Sequence, residues 1–135
     1  MMALGKVLTS DLDHATEALA DALLATIEAG DAAGLAQHCT GDVTVWHNDD
    51  GLEVPLSAVI PKLVWLHRHV RHLRYDDVRR RAIAGGYLQQ HVLRGTTAGG
   101  VELALPACLV VTVAGGRIAR IEEYLDTASL APLRA

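Results

Sequence analysis

The sequence predicts a single α+β domain in which N-terminal helices pack on a curved, mostly antiparallel sheet. Three observations carry that prediction. Apolar residues recur at helical spacing up to Gly30 and again from Val59 to Val70. The period switches to two from Asp42 and again beyond Leu73. Glycine pairs at 85–86, 99–100 and 115–116 punctuate the second half at hairpin intervals. The 135 residues form one domain, 1–135, and half of them are hydrophobic, enough to bury a sizeable core. With two Trp, three Tyr and no Phe, that core must be filled mainly by Ala, Val and Leu.

Ser10 is suited to cap the first helix, with Asp13 three residues on. Leu12, Leu19, Leu23 and Ile27 form its apolar stripe, and Gly30 ends it as a left-handed cap. Asp31 caps a short second helix running through Leu35 to His38. From Asp42, Val43 and Val45 fall on one strand face and Thr44 and Trp46 on the other, until Asn48-Asp49-Asp50-Gly51 turns the chain. A third helix begins after Ser57, with Pro61 in its first turn and Val59, Leu63, Leu66 and Val70 as its stripe. Three or four strands follow, read at Arg74–Ala84, Tyr87–Thr97, Val101–Val113 and Arg117–Leu125 as an antiparallel meander. Helices first and a curled sheet afterwards is an α+β order.

Composition excludes several classes. A net charge of −4 argues against a nucleic-acid surface, which needs clustered Lys and Arg. The one basic run, His67 to Arg81, is broken by Asp76 and Asp77 and reads as a solvated helix end and strand edge. Cys39 and Cys108 match no zinc or redox spacing and read as small buried thiols. The stretch MMALGKVLTSDLDH lacks the apolar run of a signal peptide, and nowhere do 18 apolar residues run together. A cytoplasmic protein with no membrane and no nucleic-acid partner is expected.

The stretch Leu23 to Asn48, LLATIEAGDAAGLAQHCTGDVTVWHN, and the closing hairpin VVTVAGGRIARIEEYLD resemble the nuclear transport factor 2-like superfamily. That superfamily includes ketosteroid isomerase, limonene epoxide hydrolase and the SnoaL-like polyketide cyclases. The resemblance covers the core from about Leu12 to Leu130 and implies a cone enclosing one pocket. It also implies where chemistry sits. The ketosteroid isomerase base position falls at His47 or Asn48, its Tyr near Leu23 and its second Asp near Cys108, so that oxyanion hole is missing. Against limonene epoxide hydrolase, Trp46, Asn48 and Glu123 fall at the water-positioning Tyr, the Asn and the water-activating Asp. His91 falls near that enzyme's Arg, and Leu93 where its partner Asp belongs. Relatives of this fold commonly dimerise through the outer sheet face.

Among individual residues, Glu123 is the leading catalytic candidate. Alternation puts it with Ala119, Ile121 and Leu125, and a carboxylate on an apolar face is costly unless paired or useful. The competing reading is an outward face, or an ion pair with a nearby Arg or His. His91 shares a face with Tyr87, Gln89 and Leu93 and is the second catalytic candidate, as proton partner or orienter of Glu123; a plain hydrogen bond within that polar stripe competes. Trp46, Asn48, Tyr87, Cys108 and Trp65 are candidate substrate-binding residues. Whether His47 or Asn48 faces the pocket stays open, because a one-residue gap reverses the face. His67, His69 and His72 look like a metal cluster, yet on a helix 67 and 69 are about 200° apart, so no metal is expected. The expected function is an acid/base enzyme (isomerase, cyclase or hydrolase) needing no metal or nucleotide cofactor and acting on a small apolar or polycyclic molecule. A non-catalytic binder and a protein-interaction module are the alternatives. The outer strand face, with Pro106, Cys108 and Val110, points to a homodimer.

Overall fold

A computed structural model describes residues 6–134 of the chain. The first five residues of the stretch weighed above as a leader lie outside them. The element order is β1 (Val7–Ser10), α1 (His14–Ala29), α2 (Ala32–Gln37), β2 (Cys39–His47), β3 (Glu53–Pro55), α3 (Leu56–His69), β4 (Val70–Ile83), β5 (Gly86–Thr97), β6 (Glu102–Ala114), β7 (Arg117–Leu125) and α4 (Ala131–Arg134), with a 3-10 turn at Thr127–Leu130.

The helix signals act close to where the sequence put them. Asp13, not Ser10, caps α1, accepting from the Thr16 amide at 2.7 Å. Ser10 lies instead in β1, a short strand the sequence reading missed, and its hydroxyl bonds Glu17. Gly30 closes α1 at φ 69°, and Asp31 caps α2 through the Gly34 amide at 2.9 Å. α3 starts at Leu56, earlier than predicted, which puts Pro61 inside the helix.

All seven strands form one sheet in the order β1-β4-β5-β6-β7-β2-β3. The pairs β1–β4 and β2–β7 are parallel, and the others antiparallel. The sheet curls around α1 and α3 without closing. Two bulges bend β4, where register slips between Arg71 and Arg74 and between Asp76 and Arg79. His72 (φ 55°) and Asp77 (φ 56°) take the left-handed conformation there, residue types that tolerate it better than most. Each bulge moves the inward set by one residue, so Val70, Leu73, Tyr75, Val78 and Arg80 all point inside. A third irregularity, at Ala119 in β7, gives β7 one more residue than β6 between Ile118 and Arg120. It brings Ile118 into the core, opposite to the strict alternation expected, while Ile121, Glu123 and Leu125 stay inward.

The core has two clusters. One joins α1, α2 and the β6–β7 side (Leu19, Leu23, Leu35, Leu109, Val111, Ile118), and the other joins Leu24 to the β4–β6 side (Val70, Leu73, Tyr75, Leu93, Leu105). Arg80 corrects the reading of the basic run as solvated: it is 1% exposed. Its guanidinium meets Glu17 at 2.6 Å and Asp21 at 2.7 Å on α1, and its Nε donates to Gln89 at 2.9 Å. Among the described residues, no helix is long and apolar enough to cross a membrane.

Candidate active site

A cavity of about 540 Å³ opens between the helices and the inner face of the sheet. Its walls are Leu23 and Ile27 of α1, Val59, Leu63 and Leu66 of α3, and Leu93, Leu105, Leu109 and Ile121 of the sheet. Leu130 and Leu133 from the C-terminal turn and α4 cover one side, and Trp65 and Lys62 lie on the α3 side. Apolar walls with a few convergent polar groups are the usual make-up of a small-molecule site. Here those groups are His47, Asp49, Lys62, Tyr75 and Glu123.

The central pair is His47 and Glu123. β2 and β7 run parallel with His47 directly beside Glu123, and the imidazole Nε2 lies 2.9 Å from the carboxylate Oε1. Both side chains are about one-fifth exposed (21% and 22%), so the pair is screened from bulk water yet open to the cavity. The hydrogen bond to Glu123 and that residue's charge hold the His47 pKa above the ordinary imidazole value, against the opposing effect of burial. The Asn48 turn fixes the strand ends that carry the pair. Asn48 Oδ1 accepts from the Leu125 amide at 3.0 Å, its Nδ2 donates to the Leu125 carbonyl at 3.2 Å, and its own amide donates to the Glu123 carbonyl at 3.0 Å. Asn48 thus clamps β2 to β7.

Of the sequence-predicted residues, Glu123 and Trp65 line the cavity. The expected grouping of Trp46, Asn48, His91 and Glu123 in one pocket is not what the strands produce. Trp46 points outward and packs on Tyr124, ring centroids 5.1 Å apart, because in β2 the inward set is Val43, Val45 and His47. Asn48 is the clamp just described. Tyr87 is wholly buried deeper in the core, with an unpartnered hydroxyl, and Cys108 sits half-buried on the outer face, opposite Tyr124 in the ladder. His91 is inward but 2% exposed and does not reach the cavity. Its Nδ1 meets the Gln89 amide at 2.8 Å, and its ring stands edge-on to Tyr75 at 4.7 Å. Burial pushes its pKa down to about 4. The open alternative at the strand end thus resolves to His47. The structure also adds Tyr75, which sequence reasoning missed; it is the only aromatic residue in the charged stretch RYDDVRRR. His67, His69 and His72 do not converge, and no cluster of three His, Cys, Asp or Glu side chains able to hold a metal occurs among the described residues.

Proton titration of the seven histidines by NMR checks these environments. His47 is expected to titrate above the ordinary imidazole value and His91 near 4. The two act oppositely on stability. The His47 contribution is complete below the unfolded pKa and is lost as pH rises through its raised folded value. That of neutral His91 is complete above about 6.5 and is lost as pH falls towards 4, a change of about 3 kcal/mol. A His47 resonance that titrates at the ordinary value beside intact Glu123 would break the pairing.

No protein-family model matches the sequence, and no curated protein matches it. Solved structures do. A protein from Catenulispora acidiphila with a ketosteroid isomerase-like fold, solved in complex with trimethylamine, is 15% identical with a TM-score of 0.74, over 87% of this chain and 92% of that one. A protein from Pseudomonas putida, provisionally named a polyketide cyclase, is 24% identical with a TM-score of 0.71, over 85% and 93%. AclR from Streptomyces galilaeus, provisionally named a hydroxylase, is 13% identical with a TM-score of 0.76, over 88% and 83%. At these identities the likeness speaks for the fold: the chain has the nuclear transport factor 2-like fold, in the form shared by ketosteroid isomerase-like proteins and SnoaL-like polyketide cyclases.

Proposed function

We propose that the protein is an acid/base enzyme of a small, largely apolar molecule, with Glu123 as the proton-transferring group and His47 as its partner. The observation that carries this is the 2.9 Å contact between the two side chains at the wall of an otherwise apolar cavity. A carboxylate in such a place is costly unless it is used or paired, and here it is both paired and open to a ligand. The carboxylate removes a proton from the bound molecule. His47, held in its protonated form over a wider pH range than a free imidazole, steadies the carboxylate and supplies a proton to the product side. Isomerisation and cyclisation use this step directly; in hydrolysis the same carboxylate takes the proton from a water that attacks the bound molecule, and His47 protonates the leaving oxygen. The fold neighbours, provisionally named as cyclase and hydroxylase, support an enzyme of this general kind.

The test combines native mass spectrometry, to identify a retained ligand, with turnover of that ligand by the Glu123→Gln variant. Turnover at the unmutated rate by the variant ends this reading. Tight binding without turnover in the unmutated protein replaces it with a carrier or binder.

The outer sheet face supports a homodimer. Trp46 packs at a tilt on Tyr124, itself 44% exposed, and next to them β6 presents Pro106, Cys108 and Val110. These exposed apolar groups, set around the Arg120–Glu122 ion pair on the same face, favour burial against a second copy. Light scattering at micromolar concentration is expected to give twice the chain mass; a monomer mass rejects this arrangement.

A further inference from the structure

Tyr75 has no place in the dyad, yet it belongs to the same cavity. It sits on β4 just before the second bulge, 6% exposed, and lines the cavity together with His47 and Glu123. Its backbone amide is fixed by Glu28 at 2.9 Å, and the edge-on His91 ring braces its side chain. His91 is itself held by a chain with defined donors. Arg80 Nε donates to Gln89 Oε1, which leaves the Gln89 amide NH₂ to donate to His91 Nδ1. Tyr75 is therefore held on the side away from the cavity by a rigid, fully packed support.

Its hydroxyl has no hydrogen-bond partner among the described residues, but it is not one of the sealed, orphaned atoms; those are Tyr87 Oη and Arg80 Nη2. Tyr75 belongs to the cavity wall, and its hydroxyl is neither bonded nor sealed off. A preorganised donor left open inside an apolar cavity is a recognition element for an acceptor atom on a ligand. We propose that Tyr75 is a ligand-binding residue whose hydroxyl donates a hydrogen bond to an oxygen of the bound molecule, so that the cavity selects an oxygenated compound over a hydrocarbon of the same shape. This rests on the cavity being the ligand site, as the proposed function requires, but not on Glu123 moving a proton. Burial and the nearby Glu123 charge raise the phenol pKa, which keeps Tyr75 a donor throughout the working pH range.

A matched probe pair tests it: 2-tetralone, which carries a carbonyl, and tetralin, the hydrocarbon of the same shape. In the unmutated protein the ketone is expected to bind more tightly than the hydrocarbon. The Tyr75→Phe variant keeps the ring and its packing. It is expected to weaken the ketone by roughly three- to tenfold, the worth of one neutral hydrogen bond, and to leave the hydrocarbon unchanged. The infrared C=O stretch of the bound ketone gives an independent readout: lowered in the unmutated protein, and returned towards its apolar-solvent value in Tyr75→Phe. Glu123→Gln should leave Tyr75's preference for the ketone in place. If Tyr75→Phe weakens both probes equally, or leaves the ketone and its C=O stretch unchanged, Tyr75 is packing only, while the dyad reading stands. If neither probe binds the unmutated protein, the cavity is not an apolar ligand site, and both proposals fall.

Discussion

Glu123→Gln is expected to lower turnover roughly 10²–10⁴-fold while leaving binding of an apolar ligand intact. The amide has the size of the carboxylate and its oxygen still accepts from His47 Nε2, so the cavity keeps its shape. What is lost is a group able to take and return a proton. The variant should also return the His47 pKa towards or below the ordinary imidazole value, because the hydrogen bond to a charged oxygen is gone while burial remains. His47→Gln should cost less than Glu123→Gln, since it removes the partner and not the base. Paired kcat and pH profiles of the two variants check the order. A larger loss at His47 than at Glu123 would make the imidazole the base and the carboxylate its orienter.

Arg80→Ala is expected to destabilise the fold by about 3–5 kcal/mol, a large share of the roughly 5–15 kcal/mol that holds such a domain together. The substitution empties the space of a wholly buried side chain and leaves the Gln89 carbonyl oxygen without its donor. Glu17 and Asp21 lose less, since both reach water. Arg80→Met leaves the same groups unpaired but refills most of the volume, so it should recover the packing part of the loss. Urea unfolding measures both through the midpoint at unchanged slope. A loss below about 1 kcal/mol for Arg80→Ala would place Arg80 and its two carboxylates with ordinary surface ion pairs.

Arg80 also marks the limit of what the sequence could carry. Its partners Glu17 and Asp21 lie on the first helix, some sixty positions away, and local charge density around it reads as solvated. Period-two counting fails across β4 because two bulges restart it, which is why Tyr75 went unnoticed. Where strands are regular, the pattern held: Ile121, Glu123 and Leu125 share one face as their alternation requires, and the fold turns that face inward. The helix ends at Gly30 and Asp31 were legible because capping is local chemistry. The choice between His47 and Asn48 was not, since parity tells which residues share a face but not which face is inside. Only the pairing of β2 with β7 decides that. His91 was assigned to the right face and the wrong depth; burial comes from the curl of the sheet, which alternation does not encode.

The extra residue at Ala119 makes β7 unequal in its tolerance of length change. Removing that residue restores a regular strand and leaves Ile118, Ile121 and Glu123 on the inner side, so a shorter chain at this point keeps the carboxylate in the cavity. Between Ile121 and Leu125 the ladder has no such slack. One residue gained there would turn the carboxylate out among Trp46 and Tyr124 and bring a neighbour of opposite character in. Loss of the residue at Ala119 thus spares the cavity, while beyond Ile121 each one-residue change swaps the chemistry of the cavity for that of the outer surface.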